Sequence, residues 1–308
     1  MIKYYKVANG GLRETRRSDK SSRIWIDAYS PNTEELEQLA KLTKISIDDL
    51  RMALDEDERP RIEVAKNYVM IIFRSPFANK EDEIETSSIG IFLTKKYVVT
   101  LHLYYTGYVI PIFEPSKHVP IKSNTEFVYY MLSEITKAYS KVLTKIEKQV
   151  DIIEDEAIKN TDNIKIEKIS DTKKTLIYFH RSLMVNRVVV LTIIGKNLKL
   201  IDNKYIEKFK DLHTEIFQLL EMTVTYKDLL KGAMDSYSSI MSNKLGETVR
   251  VLTILTALLT IPTFFVNLYS MNVALPYQQH PLAFPLLILF TFLIMIVTWT
   301  VIKVKKWI

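Results

Sequence analysis

A row of small and oxygen-bearing side chains follows one face of the C-terminal part of the chain. Stepping back from Asn267 by alternating four and three residues, each step meets Thr, Ser, Gly, Asp or Val. Residues with this period of about 3.5 stay on one face of a helix that supercoils around other helices. The row, called the polar seam below, consists of Asp235, Ser239, Ser242, Gly246, Val249, Thr253, Thr256, Thr260, Thr263 and Asn267. Such a face must avoid lipid, because polar groups are costly there.

The polar seam has two interpretations. Small and hydroxyl-bearing residues let membrane helices approach one another closely, which is the commoner reason for such a pattern. Alternatively, the same face of each subunit in a ring lines a water-filled pore. Asn267 and Asp235 favour the pore, because amide and carboxylate oxygens at membrane depth are costly unless they meet water, ions or partners.

Two segments near the C-terminus are predicted to span a membrane as helices. No Asp, Glu, Lys or Arg occurs from 251 to 302. The first span, Val251–Leu268, has 18 residues, and the second, Pro281–Ile302, has 22. Each helix is long enough to cross about 30 Å of hydrocarbon. We therefore expect an integral membrane protein.

The basic residues around these spans predict their orientation. The connector 269–280 has no Lys or Arg, whereas Lys244 and Arg250 precede the first span. The basic residues after the second span are Lys303, Lys305 and Lys306. Because basic residues favour the cytoplasmic side, we expect both termini in the cytoplasm of a cell (inner) membrane protein. In an oligomer the three lysines of each copy would form a basic ring.

Composition and motifs exclude several classes of protein. The first 250 residues hold 36 acidic and 39 basic residues, a net charge of +3. This weak charge, without a concentrated basic patch, argues against a nucleic-acid partner. The absence of cysteine excludes disulfides and thiolate metal sites. We found no phosphate-binding glycine loop, HExxH or GxSxG motif, and the five histidines have no metal-ligand spacing. The sequence therefore predicts neither an enzyme nor an organic cofactor.

Residues 1–120 are predicted to form a cytoplasmic α/β domain. A strand at Ile24–Tyr29 is followed by a helix capped by Asn32 or Thr33, and by a second helix around 46–54. Four β-rich runs follow, at Arg61–Ala65, Tyr68–Arg74, Ser87–Leu93 and Tyr97–His102. We expect these runs to pair as a mainly antiparallel meander.

The remainder is predicted to be helical. Between 121 and 261 there is no proline, and glycine occurs only at 195, 232 and 246. This favours three long helices, at Asn124–Lys159, at Ile164–Leu198 and from Asn203 without a break into the first span. The expected division is cytoplasmic helices at 121–202, a stalk at 203–250, spans at 251–268 and 281–302 joined by an extracytoplasmic loop at 269–280, and a basic tail at 303–308.

The end of the first span carries a resemblance to a known family. Tyr269-Ser270-Met271-Asn272 resembles the Tyr-Gly-Met-Asn that ends the first span of the CorA family of magnesium transporters. Similar motifs lie at Lys210-Asp211-Leu212-His213, Tyr226-Lys227-Asp228, Asp235-Ser236-Tyr237, Ser242-Asn243-Lys244, Leu252-Thr253, Thr263-Phe264 and the Lys-Val-Lys-Lys-Trp tail. Order, spacing and the two-span topology agree, so the resemblance covers the whole chain, by architecture alone before 203.

The resemblance implies a funnel-shaped homopentamer with one central pore. It implies that Ser270, Met271 and Asn272 form the selectivity mouth and that the polar seam lines the pore. The expected cargo is Mg²⁺, which the membrane potential drives without an organic cofactor. Its partners would be membrane lipid, divalent cations and further copies of the chain.

The resemblance also implies gating by Mg²⁺. Family members close when cytoplasmic Mg²⁺ bridges carboxylates of neighbouring subunits. Asp211 matches one such position, and Glu81, Asp82 or Glu83 in the acidic turn could supply the partner. The alternative is that all four are ordinary solvated charges.

Several residues depart from the family pattern. Ser270 stands where the family has Gly, which is harmful if the mouth needs the φ of glycine or its lack of a side chain. Gly246 replaces a usual Asn and Asn267 a usual Gly, while Val249 and Thr260 replace apolar gate positions. The alternatives to Mg²⁺ uptake are therefore transport of Zn²⁺ or Co²⁺, efflux, or a non-conducting membrane sensor or scaffold.

Overall fold

The computed structural model describes residues 1–8, 11–15, 24–79, 83–104, 121–159, 166–273 and 279–305. Contacts divide the chain into two units, Met1–Ala233 and Met234–Ile308. The division falls inside the longest helix, away from the boundaries expected at 120, 202 and 250. Those finer boundaries stay a prediction.

A sheet of seven strands forms the centre of the first unit, in the order β2-β1-β3-β7-β6-β5-β4. The strands are β1 (Ile2–Ala8), β2 (Gly11–Thr15), β3 (Ile24–Tyr29), β4 (Arg61–Val64), β5 (Tyr68–Ala78), β6 (Ile84–Thr94) and β7 (Tyr97–His102). The meander β4-β5-β6-β7 is antiparallel, as predicted, whereas β3 pairs with β7 in parallel. The sequence did not predict β1 and β2, which extend the sheet beyond β3.

Helices α1 (Thr33–Thr43) and α2 (Ile47–Met52) cover one face of the sheet. Helix α1 begins as predicted: the Asn32 side chain accepts from the Glu35 amide at 2.8 Å, and the Glu35 carboxylate accepts from the Asn32 amide at 3.0 Å. This reciprocal capping satisfies amides that a helix start leaves unpaired. The buried core on this face includes Leu36, Leu39, Leu50, Ile26, Met70, Phe92 and Val99.

Gly90 sets how closely α2 approaches strand β6. A Cβ atom at position 90 would lie 2.5 Å from the Cβ of Ala53. Atoms cannot approach this closely in a packed interior, so any larger residue would push the helix end away from the sheet. The small pair is therefore part of the packing of this layer.

Helices α3 (Asn124–Lys159) and α4 (Ile166–Gly195) contact strands β5 and β6. Because helices cover both faces, the middle strands read as nearly continuous buried runs rather than alternating ones, for example at 68–77 of β5. The bounds of α3 agree with the prediction; α4 ends at Gly195 rather than near Leu198, and Ile164 lies outside the described residues.

A buried amide joins α4 to strand β5. The Asn186 side chain accepts from the backbone N–H of Arg74 and donates to the backbone carbonyl of Arg74, each at 2.9 Å. The hydroxyl of Tyr139 on α3 donates to the same carbonyl at 3.1 Å. Asn186 and Tyr139 are fully buried, and burial raises the pKa of Tyr139, so its hydroxyl stays a donor. We call these contacts the Arg74 clamp.

Helix α5 runs from Ile206 to Tyr269 after a 3-10 turn at Asn203–Tyr205. In the first unit it is held to α3 by Lys208, whose ammonium lies 3.3 Å from the Glu126 carboxylate and over the Tyr129 ring. Burial opposes ionisation of Glu126, but hydrogen bonds from the Lys122 amide and Lys208 lower its pKa. The charged pair is thereby stabilised in a largely apolar layer.

A second buried polar group lies where β3 and β7 end. His102 Nε2 is 3.0 Å from an Asp27 carboxylate oxygen, and its Nδ1 is 2.8 Å from the Tyr104 carbonyl. Both neighbours are acceptors, so both ring nitrogens must carry protons. Burial opposes this charge, but the hydrogen bond to Asp27 and its negative charge raise the pKa of His102. The pair is a buried ion pair.

The Arg74 clamp generates a stability prediction. Asn186→Leu keeps a similar volume but leaves the buried N–H of Arg74 without a partner. We expect the midpoint of thermal unfolding of the detergent-solubilised protein to fall by roughly 5 °C, equivalent to about 2 kcal/mol.

Thr192→Val is the matched control. Thr192 is exposed on the same helix, and its hydroxyl only donates back to the Val188 carbonyl. We expect its midpoint to stay within about 1 °C of the native value. Equal midpoints for the two variants would show that the clamp does not stabilise the fold.

Candidate ion pathway

Every residue of the polar seam is exposed in the second unit, as are Ser270, Met271 and Asn272. The less exposed positions of α5 repeat instead about every 3.6 residues. These positions are Ile254, Leu258, Ile261, Phe265 and Leu268. The ring of Phe265 packs edge-on against Phe290 of α6 (Ala283–Val304), with centroids 5.4 Å apart. The polar seam is therefore not covered by α6.

The threonines of the seam bind their own helix backbone. The hydroxyls of Thr253, Thr256, Thr260 and Thr263 each donate to the carbonyl four residues earlier, at 2.8 Å. A hydroxyl has one hydrogen and two lone pairs. With the hydrogen occupied, each oxygen presents its lone pairs outward as acceptors. The waters around a cation point their hydrogens away from it, so they suit this surface.

Two seam positions offer no side-chain oxygen. A Cβ atom at Gly246 would have nothing within 4 Å, and Val249 is 53% exposed. These are positions where the sequence departs from the family pattern. The hydroxyl-bearing part of the seam is thus divided into a segment at 235–242 and a segment at 253–267.

The segment after α5 contains the predicted selectivity mouth. The backbone N–H of Ser270 donates to the carbonyls of Val266 and Asn267 at 3.1 and 3.2 Å, and its hydroxyl donates to the Asn267 carbonyl at 2.8 Å. Among the described residues, the non-glycine positions with positive φ are Ser30 and Lys44. Ser270 therefore has an ordinary backbone conformation here. The expected conformational handicap of serine has no basis in this geometry, whereas the added side chain at the mouth remains.

The predicted regulatory carboxylates do not form a site within one chain. Asp211 is exposed on α5. Glu83 lies in the hairpin between β5 and β6, where it accepts from the Asn79 side chain at 3.2 Å and lies 3.9 Å from the Lys174 ammonium. Glu81 and Asp82 lie outside the described residues. The described residues contain no group of three His, Asp or Glu side chains placed to hold a metal.

Three described helices are long and apolar enough to cross a membrane: α4, the helix containing α5, and α6. The sequence predicted the last two. In α4, 39% of the most apolar stretch is buried, against 6% and 11% in the others. Since α4 packs on β5, its apolar residues serve the first unit. Lys303 and Lys305 are exposed at the end of α6, and Lys306 lies outside the described residues.

Residues 20–306 match a family model described as CorA-like Mg²⁺ transporter protein. The chain belongs to this family. The cobalt/magnesium transport protein CorA of Methanocaldococcus jannaschii is 32% identical over 92% of this chain and 91% of its own length. The protein of the same name from Thermotoga maritima is 23% identical over 94% and 84%. The complete structure of the M. jannaschii CorA magnesium transporter superposes with a TM-score of 0.90 at 29% identity, covering 100% of this chain and 99% of the other.

Membership confirms the resemblance found at Tyr269-Ser270-Met271-Asn272. It also confirms the coarse fold, in which an α/β domain is followed by long helices and apolar helices. The chain is a membrane protein of a CorA-like transporter family for divalent cations. The roles of individual residues in the seam and mouth stay predictions.

One feature escaped the sequence entirely. Residues 56–60, the ends of β5 and β6, and residues 178–185 of α4 enclose a cavity of about 760 Å³ in the first unit. Its lining comes from segments more than 90 residues apart. No periodicity or motif marks such a site before folding.

The exposed seam generates a prediction that separates packing from ion contact. Thr256→Val keeps the shape of the side chain but replaces the oxygen by a methyl group. If the seam contacts hydrated ions, divalent flux into liposomes should fall by at least about fivefold, equivalent to about 1 kcal/mol for a lost hydrogen bond.

Thr248→Val is the matched control. Thr248 lies on the same helix but off the seam, and its hydroxyl donates to the Lys244 carbonyl at 3.0 Å. We expect native flux from this variant. Native flux from both variants would favour the packing interpretation.

Proposed function

We propose that the protein forms a homopentameric channel that carries Mg²⁺ across the cell (inner) membrane through a central pore. The observation that carries this proposal is the exposed polar seam, which lies on a different face of α5 from the contact with α6. A seam of oxygens beside lipid is costly. Copies of α5 facing one another around an aqueous axis would place the seam in water.

The proposed arrangement places both termini in the cytoplasm. Helices α5 and α6 then form a transmembrane hairpin, and the residues before the first span form a cytoplasmic funnel. The lysines after α6 would form a basic ring at the cytoplasmic surface. The absence of Lys and Arg from residues 269–280 supports this orientation.

Ion selection is proposed to occur at the mouth formed by Ser270, Met271 and Asn272. Mg²⁺ loses its water shell reluctantly, so a ring of oxygens that binds the hydrated ion avoids that cost. One Asn272 amide oxygen from each subunit would supply such a ring. Thr263 and Asn267 would offer further acceptors along the pore.

The membrane potential is proposed to drive transport. An inward-moving divalent ion gains about 4.6 kcal/mol per 100 mV, twice the value for a single charge. Asp235 would place a ring of negative charge at the cytoplasmic end of the seam and concentrate cations there. No nucleotide hydrolysis is needed for downhill movement of this kind.

Gating is proposed to use Mg²⁺ bound between subunits. The exposed carboxylate of Asp211 would face Glu83 or its neighbours Glu81 and Asp82 in the next copy. Facing carboxylates repel without a cation and are joined by one. Loss of cytoplasmic Mg²⁺ would therefore loosen the ring and open the pore.

A differently selective transporter is the second candidate. The departures at Gly246, Val249 and Asn267 change the surface of the seam from the family pattern. The similar proteins from M. jannaschii and T. maritima carry the name cobalt/magnesium transport protein. Comparing Mg²⁺, Co²⁺, Ni²⁺ and Zn²⁺ at a fixed voltage would rank these ions, and reversing the voltage would test efflux.

The first functional prediction concerns Asn272. Asn272→Ala removes one oxygen per subunit from the mouth without changing the buried face of α5. We expect divalent flux into liposomes to fall to the level of empty liposomes, while native mass measurement still gives a pentamer. Unchanged flux would place selection elsewhere, and a native monomer or dimer in wild-type protein would contradict the pore.

The second functional prediction concerns Asp211. Asp211→Lys supplies part of the positive charge that Mg²⁺ would bring between subunits. We expect millimolar Mg²⁺ to protect the variant from proteolysis less than it protects the wild type. Glu37→Lys, an equal charge change at an exposed position of α1, should keep full protection. Equal protection of all three proteins would show that Asp211 is not a regulatory ligand.

A further inference from the structure

The cavity in the first unit has the size of a small-molecule site. Its volume of about 760 Å³ lies within the range of known ligand pockets. It is bounded by the segment after α2, by β5 and β6, and by α4. None of the residues proposed for transport or gating lines it, so what it binds is independent of the proposed channel.

Three arginine side chains line this cavity, and none is paired with a carboxylate. The Arg74 guanidinium donates to the backbone carbonyls of Glu56 and Thr86 and to the Thr86 hydroxyl, at 3.3, 2.6 and 3.3 Å. These acceptors are neutral. Arg59 and Arg181 are exposed, and their guanidinium groups make no hydrogen bond or ion pair with the described part of the chain.

The carboxylates of the lining do not balance these charges, because three of them already have partners. Glu58 pairs with Arg61, Glu56 accepts from the Tyr104 hydroxyl, and Glu85 accepts from the Asn79 side chain at 3.0 Å. The cavity therefore presents three guanidinium groups to a ligand. Guanidinium binds phosphate oxygens in pairs of charge-assisted hydrogen bonds.

Aromatic rings form another part of the wall. Phe77 and Tyr104 stack with centroids 4.2 Å apart, and Tyr178 on α4 leaves its ring 37% exposed. Rings in this setting bind planar groups by stacking. Charge and stacking surfaces in one cavity fit a ligand that carries both an anionic group and a planar ring.

One buried polar atom of the lining lacks a partner. Ser87 is 4% exposed, and its hydroxyl makes no hydrogen bond within the described residues. A buried polar group without a partner is costly, and such groups are rare in folded proteins. A ligand with hydroxyl or ring-nitrogen groups would satisfy it.

We propose that this cavity binds a nucleotide, with its phosphates on Arg59, Arg74 and Arg181 and its base against the aromatic wall. Inorganic phosphate alone would leave the aromatic wall and Ser87 unused. The backbone of Arg74 carries the clamp to α3 and α4. A nucleotide held by the Arg74 side chain would thus be bound to the same residue that ties both helices to the sheet.

The test measures binding of ATP, adenosine and pyrophosphate to the full chain in detergent by equilibrium dialysis, in a buffer saturated with Mg²⁺ so that chelation does not strip the protein. We expect one ATP per subunit. Adenosine and pyrophosphate should each bind at least about tenfold more weakly, because each lacks one of the two recognised groups. Binding of pyrophosphate as tight as that of ATP would refute recognition of the base, and equal binding of adenosine would refute the phosphate site.

Variants place the binding in this cavity. Arg181→Ala should weaken ATP binding at least about tenfold, and Tyr178→Leu should weaken ATP and adenosine but leave pyrophosphate unchanged. Arg181 and Tyr178 are both partly exposed, so folding should survive. Arg51→Ala removes an exposed arginine of α2 outside the lining and should bind ATP as the wild type does. Absence of ATP binding, or equal binding by Arg181→Ala and Arg51→Ala, would overturn the proposal.

Discussion

The fully buried Asn186 amide is the interaction on which the first unit depends. Strand β5 lies inside the sheet, yet Arg74 turns its backbone N–H and carbonyl toward the helices rather than toward another strand. Asn186 supplies the donor and acceptor that a strand would have supplied, and Tyr139 adds a second donor. Without these groups, buried backbone would be left unpaired under both helices. The clamp therefore fixes where α3 and α4 lie on the sheet.

Helix α5 shows how one helix can meet two different environments. In the first unit its apolar residues, such as Phe209, Leu212 and Ile216, are buried within the chain. From 234 onward nearly all of its residues are at least partly exposed, and Ile254 is the exception. Burial within one chain cannot explain the apolar composition of this later part. A membrane and further copies of the chain, as the family membership indicates, supply the missing surroundings.

Local signals allowed much of this fold to be predicted from the sequence. Asn32 and Glu35 mark the start of α1 by their own hydrogen bonds, and the β-branched runs at 24–29 and 97–102 mark β3 and β7. Strand β1 was missed because Lys and Tyr break its apolar pattern, and its pairing with β3 is a tertiary property. The seam could be predicted because its period is local. A partner for Asp211 could not, since it depends on a contact outside one chain.

The threonine hydroxyls of the seam have a consequence for the sign of charge that can pass. Their hydrogens are bound to carbonyls of the same helix, so only lone pairs face outward. Chloride needs hydrogen donors to replace its hydration, and these oxygens offer none. A pore lined in this way would repel anions although its membrane segment carries no acidic side chain. Charge discrimination would then come from the orientation of neutral dipoles, which unlike a ring of carboxylates does not hold a divalent ion too tightly to release it.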